Sequence, residues 1–110
     1  MKIRLVKKKT IVKYQIANAN SGSSFDQWID KLSKSNWNIS NDIKQTYGSA
    51  DVLGKRSNRV VFNIGGNNYR MICKYHFGKS YVHLFINWIG THTEYNELCS
   101  DELQYTINLY

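Results

Sequence analysis

The sequence predicts an α+β domain with its helices gathered ahead of its strands. Three observations carry this. Phe25, Trp28, Ile29 and Leu32 recur at helical spacing in the first half, while Val60, Phe62 and Ile64 alternate in the second. Between the alternating runs stand Gly65-Gly66-Asn67-Asn68 and Gly78-Lys79-Ser80, residues that tolerate the positive φ of tight turns. Helices preceding a run of strands pack on one face of an antiparallel sheet.

The elements follow in order. Lys2–Val6 alternates basic and apolar residues and reads as a short strand. Thr10 is placed to cap a helix through residue 17, with Val12 and Ile16 four apart. Residues 18–22 are polar and read as a loop. Ser24 and Gln27 have capping-box spacing and open the clearest helix. A third helix starts at Ser40, places Ile43 and Tyr47 on one face and stops at Gly48. Strands are expected over Arg59–Ile64, Tyr69–Phe77 and residues 81–89, forming a meander. Residues 101–110 fit a final strand or a helical end equally well.

A chain of 110 residues fits one domain, residues 1–110, and its apolar content (42%) is enough for a core. The charge of +7 is unevenly placed. No acidic residue precedes Asp26, and none lies between Val52 and Thr93, a stretch carrying Lys55, Arg56, Arg59, Arg70, Lys74 and Lys79. After Thr93 the sign reverses, with Glu94, Glu97, Asp101 and Glu102 and no Lys or Arg. This asymmetry suits a polyanion such as nucleic acid, though a basic surface without a dedicated partner has the same composition. Cys73 and Cys99 match no metal spacing; they leave room for a single disulfide and read better as idle thiols of a reducing, cytoplasmic compartment. No apolar run is long enough for a membrane span, and Lys7–Lys9 break the start of any signal peptide.

Several chemistries fit poorly. Gly54-Lys55 lacks the upstream glycine and following Ser or Thr of a phosphate-binding loop. No paired Cys/His spacing supports a metal, and a two-metal nuclease needs carboxylates that the cationic stretch lacks, so no metal and no cofactor is expected. RNA cleavage stays open, because the 2′-hydroxyl is its own nucleophile and asks only for alignment, proton transfer and charge stabilisation. Alternation places Arg70, Lys74 and His76 on one face with Ile72. It places Val82, Leu84, Ile86 and Trp88 in an apolar row, leaving Tyr81, His83, Phe85 and Asn87 opposite. Cations and rings together suit phosphates and bases, and equally a protein interface.

Four segments, in order across residues 8–98, carry a resemblance. Residues 59–70, RVVFNIGGNNYR, and residues 89–95, IGTHTEY, are the strongest. The helix ending at Trp37, and Asp42-Ile43-Lys44 with Ala50-Asp51-Val52-Leu53, are weaker. Together they resemble the HigB branch of the RelE-like toxins. The resemblance implies a RelE-like fold, with N-terminal helices on a curved antiparallel sheet. It implies a metal-independent endoribonuclease that cuts messenger RNA on the ribosome, and neutralisation by a HigA-type helix-turn-helix antitoxin. Operator DNA would be bound only through the antitoxin complex. The alternative is a catalytically weak or inactive RelE-fold protein that keeps ribosomal RNA and antitoxin binding.

Within that frame Arg70 is the first candidate for the scissile phosphate, with a structural or rRNA-binding arginine as the plain alternative. His92 is the general acid or base candidate, or else a structural histidine where the chain leaves a strand. Tyr95 is divided between phosphate donor, stacking ring and packing. Lys74 shares the Arg70 face and stabilises charge or binds backbone. Lys7, Lys8, Lys9, Lys55, Arg56 and Arg59, with Asn87, are candidates for RNA contact. Asn67 and Asn68 make the turn. Two positions depart from the family pattern: Asn87 stands where an arginine is common, and Asn96 where aspartate follows the Glu94-Tyr95 pair.

Overall fold

The computed structural model describes residues 1–110. The elements run β1 (Lys2–Val6), α1 (Lys9–Ala17), α2 (Gly22–Ser33), α3 (Ser40–Thr46), β2 (Asp51–Val52), β3 (Arg59–Ile64), β4 (Tyr69–Phe77), β5 (Tyr81–Thr91) and α4 (His92–Ser100). Short 3-10 turns at Ala19–Ser21 and Leu103–Tyr105 complete the chain. The strands form one sheet in the order β1-β5-β4-β3-β2. The expected meander of β3, β4 and β5 is present and antiparallel. The sheet is nevertheless mixed, because β1 pairs with β5 in parallel, Ile3 opposite Val82 and Leu5 opposite Leu84. A parallel pair needs a long connection between its strands, and all the intervening helices and strands supply it.

Local rules place most of the helices. Phe25, Trp28 and Leu32 on α2 are buried against the sheet, as their spacing requires. The helix begins two residues earlier than the Ser24 cap, so Ser24 lies in its first turn. At α3 the Asp42 carboxylate accepts the backbone N–H groups of Asn38 and Ile39, at 2.7 and 3.1 Å. On α1 the apolar spacing misleads. Ile11 is the buried residue, whereas Val12 and Ile16 are 44% and 78% exposed, and Lys8 rather than Thr10 precedes the helix.

The main core lies between the helices and one sheet face. Val60, Phe62 and Ile64, then Met71 and Cys73, then Val82, Leu84 and Ile86 meet Phe25, Trp28, Trp37 and Ile43. Each such side chain contributes about 1.5–3 kcal/mol on burial. Trp28 and Tyr47 both set their rings edge-on to Phe62 at 5.1 Å. Tyr47 donates its hydroxyl to the Trp28 carbonyl.

The β4–β5 ladder contains one irregularity with large consequences. Ile72 pairs with Trp88 and Cys73 with Ile86, so Asn87 is an extra residue in β5. An extra residue inverts the alternation beyond it. Trp88 therefore leaves the expected row with Val82, Leu84 and Ile86. It joins Val61 and Ile72 on the opposite face, while Ile89 returns to the core. That second face is not open along its length. Tyr95 and Leu98 of α4, with Ile107, pack over Trp88, Val61 and Ile72. No helix is long and apolar enough to cross a membrane.

Candidate functional site

The Gly65–Asn68 turn, the start of β4 and the first turn of α4 meet at one point. Gly65 and Gly66 adopt φ of 64° and 65°, the left-handed region that lets the chain reverse here. The Asn68 carbonyl then accepts the His92 N–H at 3.0 Å, tying the turn to the helix. At the other side of the junction Thr91 Oγ1 accepts the Glu94 N–H and Glu94 accepts the Thr91 N–H, at 3.2 and 2.8 Å. This reciprocal cap fixes where α4 begins and so where His92 stands.

Arg70 fills the junction and is only 6% exposed. Its guanidinium donates to the Tyr69 carbonyl at 3.0 Å and to Asn67 Oδ1 at 2.6 Å, and Nη2 lies 2.8 Å from His92 Nδ1. A guanidinium has donors only, so Nδ1 is the acceptor and the ring proton of His92 sits on Nε2. Asn96, one helical turn on, has its amide 3.3 Å from that Nε2. With a proton on Nε2, the amide oxygen is the partner there. No carboxylate bonds to Arg70 or His92, and only two salt bridges form anywhere, Lys34 with Asp30 and Lys55 with Glu102. The centre is thus a buried cation holding a half-buried imidazole, with no acid to neutralise it.

Tyr95 lies against Trp88, ring centroids 6.1 Å apart. Burial, with Cys99 beside it, pushes its hydroxyl well above the ordinary phenol range, so it stays a neutral donor. Lys74 does not join this centre. It lies four residues along β4, about 13 Å from Arg70, beyond the Ile72–Trp88 contact. Its side chain is exposed opposite Arg59 and Phe85.

Two residues expected at an RNA-facing surface are buried instead, because residues 101–110 return across the second face. Arg59 donates to the carbonyls of Gln104 and Ile107, at 3.2 and 2.7 Å, and desolvation lowers its pKa. Asn87 donates to Asn108 Oδ1 at 3.2 Å, and its carbonyl accepts the Leu109 N–H at 2.9 Å. The remaining cations stay on the surface. Lys7, Lys8 and Lys9 are exposed at the N-terminus of α1, which has no acidic residue in its first turn. Cations there oppose the helix dipole, so stability does not account for them. Lys55 and Arg56 are exposed in the β2–β3 loop, Lys55 lying 4.5 Å above the Tyr105 ring. Lys7, Lys55 and Arg56 all adopt left-handed backbone, with φ of 61°, 58° and 54°, which costs roughly 1–2 kcal/mol at a non-glycine residue.

Sequence reasoning missed α4 and the path of residues 101–110. The Thr91…Glu94 spacing was a legible signal for α4. Nothing comparable marks the C-terminal segment, whose position rests on the Gln104 and Ile107 carbonyls that accept from Arg59 and on the Leu109 N–H donated to the Asn87 carbonyl. No three His, Cys, Asp or Glu side chains come together as a metal site would need.

Among curated proteins no relative matches the chain. A family model described as HigB_toxin, RelE-like toxic component of a toxin-antitoxin system, matches residues 21–98. The mixed α+β architecture, five strands with four helices, is consistent with a RelE-like fold. The match spans the turn, the β-meander and the His92 end of α4, so the chain belongs to the HigB toxin family, the toxin side of a toxin–antitoxin pair.

Proposed function

We propose that the chain is a ribosome-dependent endoribonuclease that cuts messenger RNA through attack of a 2′-hydroxyl on the adjacent phosphate, leaving a 2′,3′-cyclic phosphate end and halting translation. The observation that carries this is the contact of Arg70 with His92, with no carboxylate bonded to either. RNA supplies the nucleophile, so the protein's part is alignment, hydrogen bonding to the phosphate and neutralisation. His92 presents its Nε2–H edge to the reacting phosphate and donates a hydrogen bond to its oxygen, and the 2′-hydroxyl proton passes by way of that phosphate to the departing 5′ oxygen. Arg70 is a fixed cation behind the ring rather than a free arm, because three internal hydrogen bonds hold it. Tyr95 holds α4 on Trp88 and keeps its proton. Lys74, with Lys7–Lys9, Lys55 and Arg56, binds the RNA backbone of messenger and ribosome. No step asks for a metal or other cofactor. A HigA-type helix-turn-helix antitoxin neutralises the toxin in the cytoplasm, and the pair reaches operator DNA through the antitoxin.

A second reading is favoured by the burial of Arg70 and by Asn87 in place of the family's arginine. In it the fold binds ribosomal RNA and the antitoxin without cutting. One experiment separates the two. Added to a translating extract, an active toxin yields messenger fragments with cyclic phosphate ends. A binder stalls translation and leaves transcripts whole, and intact messenger at saturating protein would overturn the cleavage reading.

A further inference from the structure

A cavity of about 220 Å³ lies outside the Arg70–His92 centre, where the end of β1, the second face of β4 and β5, and residues 108–110 meet. Lys7, Lys74, Phe85, Asn87, Asn108 and Tyr110 line it, and no acidic residue does. Phe85 pairs with Lys74 on one side and with Val6, the residue before Lys7, on the other. Phe85 and Tyr110 are 40% and 39% exposed, large flat surfaces that the fold leaves uncovered. Asn87 is 6% exposed, yet its Oδ1 has no hydrogen-bond partner. A buried polar atom without a partner is uncommon and points to a missing donor. From Phe85 the rings continue as a stack to His83, at 6.4 Å and 27°, and on to His76, at 6.2 Å and 28°.

We propose that this cavity binds one ribonucleotide of a single-stranded RNA, its phosphate between Lys7 and Lys74 and its base against Phe85 and Tyr110. Cations meet phosphate without reading sequence, and rings take any base by its flat face. The Asn87 amide supplies the acceptor for a base amino group or ribose hydroxyl. A divalent cation is a poor fit because no acidic side chain lines the cavity, and an apolar guest would leave both lysines without a counter-charge. The subsite rests on the RNA reading given above and extends it. Lys74 stands about 13 Å along β4 from Arg70, so one strand of RNA reaches both. Asn108 and Tyr110 lie outside the residues matched to the family, so part of this subsite belongs to the chain's own C-terminal segment.

The test titrates the full chain, without ribosomes, with adenosine 5′-monophosphate, inorganic phosphate and the trinucleotide r(AAA), followed by backbone amide NMR. The monophosphate should shift Lys74, Phe85 and Tyr110 and bind about fivefold or more tighter than phosphate. Tyr110→Ala and Lys74→Gln should each weaken it by about fivefold or more, Tyr110→Phe should keep it, and Lys34→Gln, a change at an exposed lysine away from the cavity, should leave it unchanged. The trinucleotide should bind at least as tightly as the monophosphate. Equal affinity for phosphate and monophosphate, shifts confined to other residues, or an unaffected Tyr110→Ala would overturn the subsite. Binding of the monophosphate but not the trinucleotide would replace RNA by a free nucleotide and overturn the proposal as stated. Mononucleotide binding needs neither ribosome nor cleavage, so uncut messenger in the extract would defeat the nuclease reading without touching this result.

Discussion

Arg70 Nη2 stands 2.8 Å from His92 Nδ1, and the donor-only chemistry of the guanidinium makes that contact an instruction to the imidazole. It holds the ring by one edge and leaves the Nε2 edge to the outside, with Asn96 beside it.

His92→Ala should lower messenger cleavage in a translating extract by about 10²-fold or more, the usual weight of one donor aimed at developing charge. Arg70→Ala should lose at least about tenfold, and Arg70→Lys should not recover it, because one ammonium does not reproduce the planar fork held by Tyr69, Asn67 and His92. Primer extension of the transcript measures both. Full cleavage by His92→Ala would remove His92 from the reaction.

Asn96→Asp restores the aspartate common in the family and sets a carboxylate against Nε2. A carboxylate there favours a protonated edge, so the pH–rate profile of cleavage should move upward, by roughly one unit. An unchanged profile would show that the reacting group is not the imidazole beside Asn96.

Gly90→Ala tests the bulge. A Cβ at Gly90 would overlap the Trp88 ring and press on Glu94 Oε1 at 3.2 Å. Overpacking of this kind costs about 1–3 kcal/mol, read as a lower urea midpoint. Trp88 takes this position only because Asn87 inverts β5, so a neutral result would mean that the second face repacks freely.

Arg59→Ala removes the donor to the Gln104 and Ile107 carbonyls. Hydrogen bonds to a charged group are worth about 1.5–3 kcal/mol, so residues 103–110 should loosen before the domain unfolds. Hydrogen exchange at the Leu109 amide, bonded to the Asn87 carbonyl in the intact protein, should accelerate at least about tenfold.

Asp42 gives a pH signature. Hydrogen bonds from the Asn38 and Ile39 amides hold its carboxyl below the ordinary value of 3.8. A carboxyl depressed by folding contributes stability that is complete above that value and is lost as pH falls through the lower, folded one. Asp42→Asn should therefore lower the melting temperature near neutrality and flatten its decline below about pH 4. Parallel melting curves for the two proteins across that range would remove Asp42 as the cause.

Much of the scaffold was readable in the residues. The α2 stripe Phe25, Trp28 and Leu32 and the alternation in β3 and β4 describe faces that bury, since those periods are local properties of the backbone. The segments around Arg70 and His92 pointed to the centre, but spacing did not show that two residues so far apart in the chain touch. Where local period misled, the causes are specific. Val12 and Ile16 are separated like a buried pair, but α1 turns Ile11 to the core and leaves them to solvent. Trp88 keeps step with Ile86 in the sequence and faces away from it in space, because a bulge adds a residue without changing any residue type.

By itself the chain determined its helical and alternating halves, the sign of its surface and the absence of acid from its cationic stretch, because these depend on residue type and local spacing. Only the tertiary structure decided that β1 joins β5 in parallel, that Asn87 inverts the strand, that residues 101–110 sequester Arg59, and that Arg70 holds His92 by Nδ1. Each of these joins distant parts of the chain, and which groups meet there depends on the packing of the whole domain.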